Sequence, residues 1–340
     1  MARGRVVGIK DVAREAGVSI TTVSHAMSGK GRLPEETRAR VQRVAAALGY
    51  TPNAAARSLA GGRTGLLATY VSLPGNAPLA FTEIDYYVDV INAATAAAIE
   101  RGYALVVAPS TAGDETWSRL PLDGVVVIDP AEGDPSLAAL RERTFALVLI
   151  GRDLHGSPED VVVQNDRAVG TRMVLDHLAE RGAGRVGLLT FTTYESFTED
   201  AFDEYRAWCS RRGQEPVAVS AQADSTAGAS AFRDGARAFL DLPEPPDAVF
   251  CLYEGLGVEV LRLAAERGVR VPDDLMVASI SEMGGAEITE PPLTTLELNQ
   301  AELGATAAEL LMDLVEGESA ASVRDMPTRL VARDSTARGP

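Results

Sequence analysis

The sequence predicts an α/β protein in which a small all-helical head precedes a doubly wound body of parallel sheets. Residues 9–50 carry apolar side chains at helical spacing in three short runs. From Leu66 onward, apolar runs typical of buried strands alternate with amphipathic stretches, which is the pattern of repeated β-α-β units. At 340 residues the chain is too long for one core of ordinary size, so two or three domains are expected.

The head has the pattern of two short helices joined by a tight turn and closed by a third helix. Gly17 permits the left-handed backbone that the turn requires, and Ser19 can cap the second helix by accepting a hydrogen bond from a backbone N–H. The third helix is predicted from about Pro34 to Leu48, with Gly49 placed to end it. This arrangement is typical of a helix-turn-helix, whose second helix enters the DNA major groove.

The second helix, predicted over about 20–28, supplies the candidate base contacts. Ile20, Thr21 and His25 face away from its apolar side, so they would reach base edges in the groove. The linker that follows the head, residues 51–64, has good helix propensity but little apolar surface. We expect no stable isolated helix there, since roughly 12–15 residues are needed even for Ala-rich sequences.

The body is predicted from its strands and the helices between them. Five amphipathic stretches are assigned as helices, at about 86–101, 168–181, 200–212, 226–240 and 256–267. Nine apolar runs are assigned as buried parallel strands: LLATYVS, ALVVAP, GVVVID, ALVLIG, VVV, RVGLLTF, PVAVSA, AVFCLY and LMVASIS.

The charge is distributed unevenly between head and body. The net charge of −16 taken alone argues against nucleic-acid binding, because a DNA-binding surface should be basic. Residues 1–64, however, hold 11 Lys and Arg against 4 Asp and Glu, a net of +7, which leaves −23 on the remainder. A basic head on an acidic body confines the attraction for phosphate to the head.

Several segments closely resemble one family. IKDVAREAGVS-x-x-TVS, PEETRARV and ALGYTPNAAARSLAGGRTG resemble the DNA-binding head and hinge of the LacI/GalR transcription regulators. Later markers follow in order: PLDGVVVIDP, VLDHLAERGAGRVGLLT, GVRVPDDLMVASIS, PPLTTL and RLVARDST. The resemblance implies a helix-turn-helix head at 1–50, a hinge helix at 51–64 and a body at 65–340 that resembles type I periplasmic binding proteins.

The resemblance also implies how the protein binds DNA. It predicts a homodimeric regulator that binds a pseudo-palindromic double-stranded operator. We expect this regulator to be a repressor. Leu59 matches the leucine that wedges into the minor groove in the family, and such apolar wedges kink the duplex. Backbone contacts are expected from Thr22, Ser24, Asn53 and Arg57. No heptad run follows RLVARDST, so a dimer is favoured over a tetramer.

In the family the body has two subdomains joined by three crossovers. The resemblance places subdomain one at about 65–162 and 292–322, and subdomain two at about 163–291 and 323–340. A small-molecule effector would lie in the cleft between them, near the carboxyl ends of the strands. Its binding would rotate one subdomain and change the affinity for the operator.

The cleft departs from the pattern of sugar-binding relatives. Those relatives have an Arg where this chain has Ala201 and an Asp where it has Ser281, and both groups hold sugar hydroxyls by charge-assisted hydrogen bonds. The expected effector is therefore not a simple hexose, and a cationic or flat heterocyclic ligand would suit the aromatic and acidic residues that remain. The candidate contacts are Tyr86, Tyr87, Asp153, Asn165, Asp166, Tyr194, Glu254, Ser281 and Glu282, with Phe191 and Tyr253 as further aromatic groups.

Three other functions are considered as alternatives. A DNA-binding regulator that senses no ligand is the main alternative, and a solute-binding protein is a weaker one because of the basic head. Enzymatic activity is not expected, since no nucleophile elbow, Walker loop or His-Glu-x-x-His motif is present. We expect no cofactor or metal, and two cysteines are too few for a disulfide framework or zinc site. Without an apolar signal or membrane segment, the protein is expected in the cytoplasm.

Overall fold

The computed structural model describes residues 7–28, 33–50, 63–73, 81–143, 145–192, 196–222, 230–281, 284–319 and 321–338. The chain divides into two compact units, which we describe separately. The first comprises Met1–Leu66 with Pro121–Asp123, and the second comprises the remaining residues. Among the described residues, no helix is long and apolar enough to cross a membrane.

The first unit contains the predicted three-helix head. Helices α1 (Ile9–Ala16), α2 (Ile20–Ser28) and α3 (Glu35–Ala47) pack around one small core. Gly17 has φ 63° in the turn between α1 and α2, the left-handed conformation that its lack of a Cβ makes accessible. The hydroxyl of Ser19 accepts a hydrogen bond from the N–H of Thr22 at 3.0 Å, so the predicted cap of α2 is confirmed. The fully buried residues of this core are Val12, Ala13, Ala16, Val23, Ala26, Val41 and Ala45.

The second unit begins with a six-stranded sheet. Its strands are β1 (Leu66–Val71), β2 (Ala104–Ala108), β3 (Gly124–Ile128), β4 (Ala146–Ile150), β5 (Val161–Asn165) and β11 (Val323–Met326). They are arranged in the order β11-β5-β4-β3-β1-β2, and the pairs β1–β3, β3–β4, β4–β5 and β5–β11 are parallel. The helices of this subdomain are α4 (Asp85–Glu100), α5 (Asp114–Arg119), α6 (Pro135–Arg141) and α11 (Gln300–Glu316).

A second six-stranded sheet has the order β12-β10-β9-β8-β6-β7. Its strands are β6 (Val186–Phe191), β7 (Val217–Ala221), β8 (Ala248–Cys251), β9 (Met276–Ile280), β10 (Thr294–Glu297) and β12 (Arg329–Val331). Only β12, paired with β10, is antiparallel among the pairings described for this sheet. The helices are α7 (Arg167–Glu180), α8 (Ser196–Arg212), α9 (Ser230–Leu240) and α10 (Glu254–Glu266).

All nine predicted strands are present. Three further strands near the C-terminus were not predicted. Strands β10, β11 and β12 have three or four residues each, too short to stand out as apolar runs. Two strands that were predicted to be buried, β2 and β7, are only half-buried, because each is an edge strand of its sheet. Parallel strands are fully buried only where both of their faces are covered.

The strand pairing moves the boundaries between the subdomains by a few residues from their expected positions. Strand β5 pairs with β4 and β11, so all of 161–165 belongs to the first sheet. Strand β10 pairs with β9 and therefore belongs to the second sheet, whereas β11 belongs to the first. The chain thus crosses between sheets near 166, near 298–299 and near 327–328, rather than at 162, 291 and 322.

Helices α4 and α11 of the first subdomain pack against each other at short range. A Cβ built on Gly304 of α11 would lie 2.1 Å from the carbonyl oxygen of Val90 in α4. Glycine is therefore required for the two backbones to approach this closely. The N-terminal halves of the two helices also carry Tyr86 and Leu303, which line the space described next.

Candidate nucleic-acid interface and ligand cleft

The exposed face of α2 carries the predicted base-contact residues. Val23 and Ala26 are buried in the head core, whereas Ile20, Thr21 and His25 on the same helix are exposed. Ile20 is 45% exposed, so a large apolar side chain projects into solvent from the first turn of the helix. Apolar side chains in this position can contact the methyl group of thymine, and hydroxyl and imidazole groups can hydrogen-bond to base edges.

Two of the predicted backbone contacts lie beside this face. Thr22 and Ser24 are half-buried, and the hydroxyl of Thr22 lies 2.8 Å from that of Ser19. This contact holds the Thr22 hydroxyl at the N-terminal end of α2, where helix N–H groups favour a phosphate. The other expected DNA contacts, Asn53, Arg57 and the wedge Leu59, lie outside the described residues.

In the second unit a narrow cavity of about 10 Å³ lies between the two sheets. A cavity of this volume has room for about one water molecule. The first subdomain contributes the carboxyl ends of β3, β4 and β5, and the second contributes the N-terminal ends of α7 and α8. The lining residues are Tyr86, Asp129, Ile150, Gly151, Gln164, Asn165, Arg167, Ser196, Phe197, Asp200 and Leu303.

Asp129 is the central carboxyl group of this cavity. It directly follows β3, is 8% exposed and has a left-handed backbone with φ 48°. Burial raises the pKa of its side chain to about 6, although the positive charge of Arg167 and a hydrogen bond from the Tyr87 hydroxyl both favour the carboxylate. The site therefore holds a carboxyl group that changes charge close to neutral pH.

The second subdomain contributes an arginine, Arg167, and an aromatic ring, Phe197, to the lining of the cavity. The guanidinium of Arg167 lies 5.1 Å from the ring centroid of Phe197, a cation–π geometry. The ring centroid of Tyr253 lies 5.6 Å from that of Phe197 and 5.3 Å from that of Phe191. Of these rings, Phe197 lines the cavity together with Arg167 and Asp200. Apolar surface beside a few charged groups is the usual composition of a small-molecule site.

One ion pair connects the two subdomains across the cavity. Arg152, just after β4, donates to Asp200 on α8 at 2.5 Å. Their side chains are 39% and 31% exposed, so the attraction is partly screened by solvent. The pair nevertheless has to open, or slide, whenever the two subdomains separate at this position.

Of the predicted effector contacts, Tyr86 and Asn165 line the cavity, and Tyr87 contacts the lining residue Asp129. The amide N–H of Asn165 donates to the carbonyl of Leu298 at 2.9 Å, which links β5 to a segment that crosses between the sheets. Within the described part of the chain, its buried Oδ1 has no hydrogen-bond partner. A buried acceptor of this kind could be satisfied by a ligand that donates a hydrogen bond.

The other predicted contacts make bonds within the protein. Asp153 forms an ion pair with Arg141 at 2.6 Å, and Asp166 caps α7 by accepting from the N–H of Val169. Glu254, 1% exposed, accepts from the N–H of Gly285 at 2.9 Å. The backbone N–H of Ser281 donates to the carbonyl of Leu296. Tyr194 and Glu282 lie outside the described residues.

The sequence reasoning missed four charged residues near the cavity. Asp129, Arg152 and Arg167 come one or two residues after β3, β4 and β5, and Asp200 lies in the first turns of α8. Charged groups directly after buried strands were the available signal, because the carboxyl ends of parallel strands meet along one edge. Two of the four are arginines, so the cleft is less acidic than the predicted residues suggested.

Comparison with known proteins identifies both parts of the chain. Residues 8–53 match the bacterial regulatory proteins of the lacI family, and residues 175–336 match a periplasmic binding protein-like domain. The chain is 32% identical to the HTH-type transcriptional regulator CelR of Thermobifida fusca over 348 aligned residues, covering 98% of this chain and 100% of that protein. The chain belongs to the LacI family. Like its relatives, this LacI-family protein is a DNA-binding transcriptional regulator and not an enzyme.

Other LacI-family relatives and structures extend over the full chain. The probable HTH-type transcriptional repressor ExuR of Bacillus subtilis is 25% identical, covering 98% of this chain and 99% of that one. A structure of the CelR–cellobiose complex has a TM-score of 0.71 at 27% identity, covering 97% and 99% of the two chains. The lac repressor dimer bound to operator and the anti-inducer ONPF has a TM-score of 0.78 at 22% identity, covering 98% and 99%, which confirms the predicted fold.

Proposed function

We propose that this LacI-family regulator is a cytoplasmic repressor that binds a pseudo-palindromic operator as a homodimer and responds to a small molecule in the cleft between its subdomains. The observation that carries the DNA-binding part is the exposed face of α2, with Ile20, Thr21 and His25 on a helix capped by Ser19. The dimeric lac repressor on its operator supports the proposed assembly.

The proposed roles on DNA follow from side-chain chemistry. Ile20 contacts a thymine methyl group, while Thr21 and His25 read hydrogen-bonding groups. An imidazole makes at most one or two bonds to a base, whereas an arginine can grip guanine bidentately, so base preference at this position should be modest. Thr22, Ser24, Asn53 and Arg57 position the head on the backbone, and Leu59 is the minor-groove wedge.

The proposed effector is a polar molecule larger than a simple hexose. Ala201 and Ser281 stand where sugar-binding relatives have charged groups, but Arg167 and Asp129 bring an arginine and a carboxyl group to the cleft from other positions. Together with the unpartnered Oδ1 of Asn165, they form a set suited to a neutral hydroxylated ligand rather than a cation. The CelR structure is a complex with cellobiose, which supports this class.

Coupling between ligand and DNA is proposed to act through the separation of the two subdomains. The pair Arg152–Asp200 holds them together at the cavity, and a ligand of more than a few atoms does not fit into about 10 Å³. A ligand must therefore favour a more open arrangement. Coupling of this kind is typically worth ~1–3 kcal/mol, a factor of about 5–150 in operator affinity.

The same narrow cavity favours a second candidate function, a LacI-family regulator that senses no ligand. In that case the Arg152–Asp200 pair and the packed wall around Phe197 hold the subdomains in one fixed arrangement. Operator affinity would then be insensitive to every small molecule, and repression would depend on steric occlusion alone.

The first experiment is a selection of randomised double-stranded DNA by the full chain. We expect a pseudo-palindromic site, and His25→Ala should relax preference at one base position of each half-site while leaving the others unchanged. An enriched sequence without two-fold symmetry would contradict the dimeric arrangement. An unchanged preference in His25→Ala would remove His25 from the readout.

The selected site then serves in an effector screen by binding titration with the full chain. We expect at least one neutral hydroxylated compound to change the operator Kd by about fivefold or more. If compounds that raise the melting temperature leave operator affinity unchanged, the ligand-insensitive function is correct.

A further inference from the structure

The junction between the linker and β1 contains a carboxylate that accepts hydrogen bonds from two successive backbone N–H groups. Asp123 accepts from the N–H of Thr64 at 2.8 Å through Oδ1 and from the N–H of Gly65 at 2.7 Å through Oδ2. Asp123 directly precedes β3, and Thr64 and Gly65 directly precede β1. All three residues belong to the first compact unit, which includes Pro121–Asp123. We call these three residues the linker anchor.

The backbone of the linker anchor presents both N–H groups to one side chain. Gly65 has φ 75°, a left-handed conformation that favours glycine. Successive N–H groups beside such a residue can converge on one anion. The N–H of Leu66 donates to the Thr64 hydroxyl at 3.1 Å, and the carbonyl of Leu66 accepts from the N–H of Asp123 at 2.8 Å. These bonds fix residues 64–66 immediately before the buried part of β1.

A matching arrangement begins the second sheet. Asp247 directly precedes β8 and accepts from the N–H groups of Gly184 and Arg185 at 3.0 and 2.7 Å, just before β6. Strand β1 pairs in parallel with β3, and β6 pairs in parallel with β8. In each sheet, one carboxylate therefore ties together the starts of two neighbouring parallel strands. Asp247 forms an ion pair with Arg338 at 3.2 Å as well.

The two carboxylates differ in the chain that leads to them. The segment before Gly184 comes from α7, a helix of the same subdomain. The segment before Thr64 is the linker, and through it the DNA-binding head. Only Asp123 therefore fixes the point at which the chain that carries the head enters a strand.

Fixing residues 64–66 in advance favours binding to DNA at two half-sites. In the proposed dimer two heads must reach their half-sites together, and the effective concentration of the second head falls as its connection to the first becomes longer or less stiff. Each residue that is ordered only on binding also adds an entropic cost. Residues that are already held by Asp123 add no such cost when DNA binds.

We propose that Asp123 is a positioning residue for operator binding, whose carboxylate fixes the end of the linker so that the linker departs from β1 in one direction. This inference rests on the proposed binding of an operator by two heads. Asp123 touches no DNA in this arrangement. Its loss weakens operator binding through the release of Thr64 and Gly65.

Amide hydrogen exchange of the full chain tests the anchor directly. An N–H group that is held in a native hydrogen bond exchanges only when that bond opens. Asp123→Asn keeps the size of the side chain but leaves one acceptor oxygen for two N–H groups. We expect exchange at residues 64–65 to be tenfold faster or more in this variant. Exchange as slow as in the wild type would overturn the proposal.

Operator titration separates positioning from folding. Asp123→Asn should weaken binding of the DNA site selected by the wild type about fivefold or more. Affinity for random DNA should change less than twofold, because the phosphate contacts of the head are unaltered. Asp247→Asn is the matched control, since it removes the same pair of bonds and an ion pair where no head is attached.

The control should lower the melting temperature at least as much as Asp123→Asn does, yet change operator affinity less than twofold. An equal loss of operator affinity in Asp123→Asn and Asp247→Asn would leave Asp123 a role in stability alone, and would overturn the proposal.

Gly65→Ala disturbs the linker anchor without changing the carboxylate, and serves if Asp123→Asn does not fold. A Cβ at residue 65 meets no atom within 4 Å, so the substitution acts through the unfavourable φ of 75°. Exchange at residues 64–65 should be faster, and the selected site should bind about threefold more weakly or worse. Wild-type exchange and operator affinity in a folded Gly65→Ala protein would overturn the proposal.

Failure of this inference and failure of the proposed function give different results. If the wild type selects no site with two-fold symmetry, the proposed operator binding fails, and the positioning role fails with it. If the wild type binds its selected site and Asp123→Asn binds that site equally well, the proposed function stands and the positioning role alone fails.

Discussion

Replacing Asp129 with asparagine should stabilise the protein at neutral pH. Burial holds the pKa of this carboxyl group at about 6, above its ordinary value near 4. A group with a raised folded-state pKa contributes stability that is fully present below the unfolded pKa and is lost as the pH rises through the folded pKa. Asp129→Asn keeps the shape of the neutral form at every pH, so the variant should not lose this contribution.

The size of the effect follows from the pKa difference. A difference of about two pKa units corresponds to at most ~3 kcal/mol, since each unit is worth about 1.36 kcal/mol. The residue is 8% exposed, so solvent screening removes little of this, although relaxation around the charge will reduce it. We expect Asp129→Asn to exceed the wild type by roughly 0.5 kcal/mol or less at pH 4 and by about 1–3 kcal/mol at pH 7.5.

The assay is urea denaturation of both proteins at fixed concentration between pH 4 and pH 8. A fixed concentration matters because the stability of the proposed dimer would depend on it. Other carboxyl groups titrate in the same range, so the quantity to compare is the difference between the two proteins at each pH. A difference that stays constant over this range, or that favours the wild type more as the pH rises, would refute the buried-carboxyl argument.

Three further predictions concern packing, coupling and DNA. Gly304→Ala should cost about 1–3 kcal/mol in urea denaturation, because its methyl group would overlap the carbonyl of Val90; a gain near 1 kcal/mol, as in an exposed helix, would contradict the close contact. A double-mutant cycle with Arg152→Met and Asp200→Asn should give a coupling of about 0.2–1 kcal/mol in stability. Both single variants should also bind effector more tightly than the wild type. A coupling of zero would show that the pair does not link the subdomains. Leu59→Ala should weaken binding of the selected operator at least tenfold while changing affinity for random DNA less than twofold, and an equal loss of both would exclude the wedge.

The sequence predicted the architecture well because its signals are local. The head helices follow from apolar spacing within about ten residues. The turn follows from Gly17, which has the predicted left-handed conformation, and from Ser19, which forms the predicted cap. The long buried strands are contiguous apolar runs for the same reason. The short strands β10 to β12 could not be predicted this way, because they are defined by pairing with strands far away in the chain.

The cleft was predicted less well because its composition depends on which loops meet. Asp153 and Asp166 have the same residue type and nearly the same sequence context as Asp129, yet one forms an ion pair with Arg141 and the other caps a helix. What distinguishes Asp129 is burial beside Tyr87 and Arg167, and those contacts join separate segments.

The three crossings between the sheets have a consequence for synthesis of the chain. The first sheet is completed only by β11, at 323–326, whereas every core contact of the head lies within residues 9–50. The head can therefore fold while the ribosome is still translating the body, and the body cannot close its first sheet until almost the whole chain has emerged. Long-range pairing of this kind slows folding. We therefore expect a nascent protein to acquire its DNA-binding helices well before the cleft that controls them.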